Sequence, residues 1–232
     1  MDAVLMAAGL GTRLRPYTLQ TPKPLLNVKG RPILDWSLGA LPPTIDRVVV
    51  VVHYLAEQIE GFLRSQTRFP NWVTIRQEHP RGTGDALRCC RSHLQSDRFL
   101  VLNGDDLFGA ADLAQLARCS AGILCHPVDE PRCFGIAYRK PDGTLEKLVE
   151  KPLLDGRQLA NTGAYLFPRQ VFDIELTLSA RGEYEITEYV SKLAPQQPVQ
   201  VIQAAFWLPI GTVDVWQKAQ EENLEEVLTA KP

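Results

Sequence analysis

No apolar run in this chain approaches the roughly 20 residues that a membrane-crossing helix needs. The most hydrophobic stretch is five consecutive valines at residues 48–52, so no membrane passage is expected. No basic segment precedes the apolar start, and residues 1–11 run straight into a glycine loop, so a secretory signal is not expected and the cytoplasm is the expected compartment. The five cysteines, Cys89, Cys90, Cys119, Cys125 and Cys133, are odd in number and lack a C-x-x-C pair. That excludes a disulfide framework and a structural zinc site, leaving buried or idle thiols. His53, His79, His93 and His126 show no metal-ligand spacing and no Ser/His/Asp arrangement. A net charge of -2 without a long Lys/Arg block removes the electrostatic footprint of a nucleic-acid binder. A small anionic ligand needs only a few local basic residues and remains open. Internal repeats and low-complexity linkers are also missing.

What is present is a chain of 232 residues, 45% of them hydrophobic, enough for one compact domain with a sizeable core. Short apolar runs at residues 3–6, 48–52, 73–76 and 99–102 predict strands. Between them, residues 33–41, 56–64 and 83–94 carry the apolar spacing of helices. This alternation predicts an α/β fold, a Rossmann-like three-layer sandwich around a mostly parallel twisted sheet. After about residue 120 the pattern becomes β-rich. Strands are predicted at 122–125, 134–138, 144–150 and 199–204, helices at 169–178, 186–193 and 213–227, and a turn at Pro141-Asp142-Gly143. The expected division is residues 1–120 and residues 121–232 within one domain, the second carrying a small β-rich insertion.

The stretch Leu5-Met6-Ala7-Ala8-Gly9-Leu10-Gly11-Thr12-Arg13-Leu14-Arg15-Pro16 places a small-residue loop directly after the first strand. That is the carboxyl edge of a parallel sheet, where ligands bind. Glycines let backbone N–H groups turn toward a triphosphate, and Arg13 adds a charge-assisted fork. The loop lacks the Gly-Lys-Ser/Thr end of a Walker loop and has Leu14 where a dinucleotide fingerprint needs glycine. Ten residues after Arg13, two prolines stiffen the backbone around Lys23 in Thr21-Pro22-Lys23-Pro24-Leu25-Leu26, a second fixed cation for phosphate. Together these segments resemble the signature of the sugar-phosphate nucleotidylyltransferases, and the resemblance covers most of the chain. It implies an enzyme of EC 2.7.7 type that joins a nucleoside triphosphate to a sugar 1-phosphate and releases pyrophosphate. It also implies that Ala8, Gly9, Gly11, Thr12 and Arg13 hold the triphosphate, while Arg13 and Lys23 stabilise charge at the reacting α-phosphate. Residues 1–120 then form the nucleotide-binding half and residues 121–232 the sugar-phosphate half.

The segment Arg76-Gln77-Glu78-His79-Pro80-Arg81-Gly82-Thr83-Gly84-Asp85-Ala86 follows a predicted strand. Gln77 offers a donor and an acceptor to a base edge, and Gly82 lets main chain approach closely. The resemblance makes Gln77, Gly82 and Thr83 a base pocket with a pyrimidine, UTP or dTTP, as the preferred donor. Residues 99–106 form a buried strand ending in Asp105 and Asp106. Carboxylates at a strand tip facing phosphates hold Mg²⁺. Asp105 matches the family's metal aspartate, while strand alternation turns Asp106 elsewhere, as a turn residue. Phe134-Gly135-Ile136, Glu150-Lys151-Pro152 and Asn161-Thr162-Gly163 resemble the family's acceptor motifs, which assigns Gly135, Glu150, Lys151 and Asn161 to the sugar phosphate, with backbone at Gly135 meeting the sugar.

The pattern breaks at Trp207-Leu208-Pro209-Ile210-Gly211-Thr212, where many relatives carry a second metal carboxylate in place of Pro209. Proline has no carboxylate and no backbone donor. Asp214 is a substitute on paper, but its place at a helix start explains it by the helix dipole. The expected mechanism is in-line attack of the sugar 1-phosphate on the α-phosphorus, with alignment and charge stabilisation by Arg13, Lys23 and Mg²⁺. Two rivals stay in view: a nucleotide-sugar-sensing regulatory subunit with weakened catalysis, and a transferase with a non-sugar phosphate acceptor. Without a long segment after residue 227, a repeat-built acyltransferase domain is not expected, and self-association into a homo-oligomer stays open.

Overall fold

In the computed structural model, residues 1–228 are described. The first half runs β1 (Asp2–Met6), β2 (Asn27–Val28), β3 (Arg31–Pro32), α1 (Ile33–Ala40), β4 (Arg47–Val52), α2 (Ala56–Ser65), β5 (Trp72–Arg76), α3 (Thr83–Cys89), β6 (Arg98–Asn103), β7 (Asp106–Phe108) and α4 (Ala110–Leu116). It continues with β8 (Gly122–Val128), β9 (Gly135–Arg139), β10 (Leu145–Glu150), β11 (Gln158–Pro168), α5 (Ile186–Leu193), β12 (Gln200–Gln203), β13 (Trp207–Pro209), α6 (Val213–Ala219) and α7 (Leu224–Leu228). Nine strands form one sheet whose main path is β10-β9-β11-β6-β1-β4-β5, with β8 paired to β11 and β12. The block β6-β1-β4-β5 is parallel, with Leu5 opposite both Val50 and Leu102. β11 then joins β6 in the antiparallel sense.

Both faces of this sheet are apolar, which explains the short unalternating valine-rich runs in sequence. Ala3, Leu5, Val48, Val50, Leu100, Leu102, Ala164 and Leu166 point to one face, where α1, α2 and α4 cover them through Leu34, Leu38, Ile59, Leu63, Leu113 and Leu116. Val4, Val49, Val51, Phe99, Val101, Tyr165 and Phe167 point to the other, under Ala86 and Leu87 of α3 and Ile186, Tyr189, Val190 and Leu193 of α5. Burying one such aliphatic side chain stabilises by roughly 1.5–3 kcal/mol. The sheet therefore supplies a rigid base and leaves its loops free for binding. A third cluster gathers Leu14, Leu26, Val28, Ile33, Trp36, Leu107, Ile210, Ala219, Leu224 and Leu228. It ties the C-terminal helices to the loop after β1.

Three predicted helices are corrected. Over residues 169–178 the chain makes only a 3-10 turn, Arg169–Asp173, then extends. Val171, Phe172 and Leu176 bury without helical spacing, and the Glu188 carboxylate holds Thr177 through its N–H at 2.9 Å and its hydroxyl at 2.5 Å. The single helix expected over 213–227 is two helices, α6 and α7. Ala219 and Leu224 both enter the third cluster, yet a continuous helix would separate residues five apart by about 140°, so the chain must break between them. The Gln220 side chain marks the break by bonding Asn27 O at 3.0 Å and accepting from Lys29 N–H at 2.8 Å. The helix predicted over 83–94 stops at Cys89 and continues as turns. The long strand β11 is the principal element that the sequence pattern does not announce.

Candidate active site

The site sits where β1, β5 and β6 end at the carboxyl edge of the parallel block. β1 delivers the loop 7–11, whose first N–H, from Ala7, donates to Val51 O at 2.8 Å. At Gly9 an added Cβ would meet no atom within 4 Å, so bare backbone faces open space. Gly11 has φ 61°, and a Cβ there would lie 2.9 Å from Thr18 Cγ2 and 3.2 Å from Lys23 Cβ. Glycine is required at this position by conformation and by packing. Thr18 Oγ1 donates to Gly11 O at 2.7 Å and closes the loop. The 3-10 turn Thr12–Leu14 follows, and buried Leu14 anchors exposed Arg13, whose guanidinium sits beside Gly211, where an added Cβ would lie 3.5 Å from Nη1.

Lys23 opens a 3-10 turn between Pro22 and Pro24. It is only 5% exposed, and its Nζ lies 2.6 Å from Asp105 Oδ2. A buried ammonium needs such a partner, because an unpaired one would carry a large desolvation cost. Asp105 follows β6 across Gly104, whose N–H donates to Met6 O at 3.0 Å. Asp106 is not a turn residue. It begins β7, opposite Pro209 of β13, and accepts from Trp207 Nε1–H at 3.3 Å. Burial first, and then the neighbouring charge of Asp105, push its carboxyl up to about 8. Asp214 lies in the first turn of α6 and is not among the residues lining the cavities described below.

Two cavities meet at this ion pair. The smaller, about 300 Å³, is lined by Ala8, Gly9, Gly11, Gln77, Gly82 and Thr83 among others. The larger, about 820 Å³, is lined by Arg13, Glu150, Lys151, Asn161, Asp106 and Pro209 among others. Lys23, Thr83, Asn103 and Asp105 line both. Thr12 lines neither. Gly135 also lies outside the lining. Its missing Cβ instead makes room for the Glu150 carboxylate, whose Oε2 would be 3.0 Å away. Asn161 is held in place: its Nδ2 donates to Tyr165 Oη at 2.8 Å and its Oδ1 accepts from Gly163 N–H at 3.0 Å. Lys151 adopts φ 44° and donates its N–H to Phe134 O at 3.0 Å.

At the wall of the smaller cavity, the expectation that Gln77 offers a base both a donor and an acceptor does not hold. Its Nε2 donates to Gly82 O at 3.2 Å and to Asp85 Oδ2 at 3.0 Å, so both amide hydrogens have protein partners. Thr83 likewise has a structural task, its Oγ1 accepting from Ile186 N–H at 3.0 Å at the start of α5. The sequence reading does not single out Asn103 or the segment 179–185. Tyr184 N–H donates to Arg81 O and Gly84 N–H to Tyr184 O, each at 2.8 Å, which brings Glu183 to the smaller cavity and Arg181 and Glu185, paired at 2.8 Å, to the larger. The available signal was a polar turn with clustered charge at Ser179-Ala180-Arg181-Gly182-Glu183.

This phosphate-ready loop at a sheet's carboxyl edge, opening onto twin cavities, fits a group-transfer enzyme with two ligands. Residues 2–226 match the family model described as Nucleotidyl transferase, and the chain belongs to that family. Among the relatives, it is 31% identical over 214 residues to the bifunctional protein GlmU of Methanocaldococcus jannaschii, covering 91% of this chain and 51% of the relative. It is 32% identical over 225 residues to mannose-1-phosphate guanylyltransferase 1 of Arabidopsis thaliana, covering 91% of this chain and 61% of that protein. The chain thus spans about half the length of the archaeal relatives that it matches, 51% in the first. A Bacillus anthracis structure with sucrose, described as a glucose-1-phosphate thymidylyltransferase, superposes with a TM-score of 0.83 at 26% identity, covering 95% of this chain and 94% of the other. Among the described residues no helix is long and apolar enough to cross a membrane.

Proposed function

We propose that this chain transfers a nucleotidyl group from a nucleoside triphosphate, UTP or dTTP by preference, to a sugar 1-phosphate. The observation that carries this reading is the meeting of the two cavities at Lys23 and Asp105. The smaller cavity takes the nucleotide, with Ala8, Gly9 and Gly11 around the phosphates, Thr12 just outside its wall in the same loop, and Gln77, Gly82 and Thr83 at the base. The larger takes the acceptor, with Glu150 and Asn161 toward sugar hydroxyls, Lys151 toward the 1-phosphate, and Gly135 seating Glu150. Residues 1–120 and 121–232 divide these tasks, the last four residues lying outside the described part.

In this mechanism an oxygen of the sugar 1-phosphate attacks the α-phosphorus, and the bond from that phosphorus to the bridging oxygen breaks. Pyrophosphate leaves with the electron pair. The attacking phosphate is already an anion, so no protein base has to remove a proton. Arg13 and Lys23 supply positive charge where negative charge builds, and the rigid loops hold the reactants in line. The hard carboxylate oxygens of Asp105 suit Mg²⁺, which is commonly held by one or two carboxylates plus substrate phosphates. Among the described residues no cluster of three or more His, Cys, Asp or Glu side chains that could hold a metal exists. Asp105 is the carboxylate assigned to hold Mg²⁺, and the ion when bound offsets charge on the phosphates.

Pyrophosphate release measured over a grid of nucleoside triphosphates and sugar 1-phosphates, with Mg²⁺, tests this reading. Release that requires both substrates supports it. Tight nucleotide-sugar binding without release would instead favour a sensing subunit, for which Pro209 is the specific motive. Release with other phosphorylated acceptors but with no sugar 1-phosphate would keep the transferase and replace its acceptor.

A further inference from the structure

Gln77 directly follows β5 and is 3% exposed at the wall of the smaller cavity. Its backbone is fixed, with N–H donating to Val52 O at 2.9 Å. The side-chain amide is fixed as well, because both partners of Nε2 accept only. One is the Gly82 carbonyl and the other the Asp85 carboxylate. Asp85 is itself buried, with a side chain 4% exposed, and is held between Arg88 at 2.6 Å and Arg81 at 3.4 Å. Its Oδ1 takes the two guanidiniums and its Oδ2 the Gln77 amide, so the Asp85 carboxylate meets only donors. Turning the amide over would set Gln77 Oε1 against two acceptors, so the amide has one allowed orientation.

That orientation leaves Oε1 as the atom of Gln77 without a bond. Among the described residues no donor reaches it. We propose that Asp85 is a positioning residue that sets the hydrogen-bond polarity of the base pocket by holding Gln77 with its acceptor toward the base. An acceptor there suits a base whose ring nitrogen carries hydrogen, as in uracil, thymine or guanine. Cytosine and adenine present a ring-nitrogen lone pair at the corresponding position and meet repulsion. Discrimination of this kind is large, because the mismatched base leaves polar groups facing like groups in a closed site. The inference rests on the reading of the smaller cavity as the nucleotide site.

UTP and CTP are nearly the same size and opposite in polarity at this edge, so they form the test. Titration calorimetry with Mg²⁺ gives the ratio of their dissociation constants for the unmodified protein, for Asp85→Asn, and for the surface pair Arg81→Ala/Arg88→Ala. The same comparison with GTP against ATP covers a pocket that takes purines. The unmodified protein is expected to bind the nucleotide with the ring N–H at least about tenfold more tightly. In Asp85→Asn the new amide can donate to Gln77 Oε1, so one of the two acceptors that fix the orientation is gone and the ratio should fall. The double arginine variant unfastens Asp85 from outside the core and should lower the same ratio, so it carries the test if Asp85→Asn does not fold. A residue with only a structural role would weaken both nucleotides equally and leave the ratio intact. An unchanged ratio in a folded variant, or no preference in the unmodified protein, overturns the inference alone. Failure of all four nucleotides to bind would overturn the nucleotide-site reading itself.

Discussion

Lys23 combines an environment and a chemistry that few lysines share. It is buried, paired through a 2.6 Å contact to Asp105, and part of the wall of both cavities. Removing its charge should cost the reaction more than the fold: Lys23→Ala is expected to lower kcat/KM at least about a hundredfold, about 2.7 kcal/mol of transition-state stabilisation. Steady-state kinetics with matched unfolding curves separates the two effects, and a rate within about threefold of the parent would remove Lys23 from the reacting centre. Cysteine chemistry gives a second residue-level check. Burial pushes the thiols of Cys90 and Cys125 up to about 12, whereas Cys133 is exposed at the larger cavity. Thiolate is the reactive form, so a maleimide at neutral pH should label Cys133 first and spare Cys90 and Cys125 until unfolding. Early modification of either buried thiol, seen by peptide mass mapping, would contradict their placement. At this scale Gly9, Gly11, Arg13, Lys23 and Asp105 were legible in sequence because each sits in a local motif. Asn103 and Asp106 were not, because their roles depend on side-chain direction at the junction of β6 and β7.

β11 shows where reading by element stops. Its sequence, Gln158–Pro168, contains Asn161-Thr162-Gly163, which looks like a turn, and has no β-branched run. The strand exists because Ala164 and Leu166 feed one core face while Tyr165 and Phe167 feed the other, a fact set by its partners β6 and β8. The irregularity is real: register shifts between Asn161 and Ala164, and Gly163 has φ 82° with its Cβ position 2.0 Å from Asn103 Nδ2. Gly163→Ala should therefore destabilise by about 1–3 kcal/mol or more through overpacking and strain, and should displace Asn103 from the boundary of the cavities. Urea unfolding measures the first effect. A change under about 0.5 kcal/mol, the usual size at a neutral surface site, would show that the strand relaxes freely there. The split of α6 from α7 was hidden for a related reason. The apolar positions permitted a helix, but only the third cluster dictates that Ala219 and Leu224 face the same way.

Across the whole molecule the sequence announced the layers, since valine-rich runs alternating with amphipathic segments leave few other arrangements. It could not announce two cavities sharing Lys23, Thr83, Asn103 and Asp105, which come from the first 105 residues but are closed by β10, β11 and the segment 179–185. A ligand held between these parts should stabilise the whole chain. A nucleoside triphosphate at a hundred times its Kd adds about 2.7 kcal/mol, or about 5–10 °C in Tm for a domain of this size. No shift at saturating nucleotide in differential scanning fluorimetry would speak against a nucleotide site in the folded state. The most direct test follows the phosphorus atoms: the protein is incubated with Mg²⁺, a sugar 1-phosphate and nucleoside triphosphate labelled at either the α or the γ position. Label from the α position should appear in the nucleotide sugar and label from the γ position in pyrophosphate, each only when the sugar phosphate is present. Label from the γ position in inorganic phosphate or on the sugar would contradict attack at the α-phosphorus, and with it the assignment of the two cavities as donor and acceptor sites.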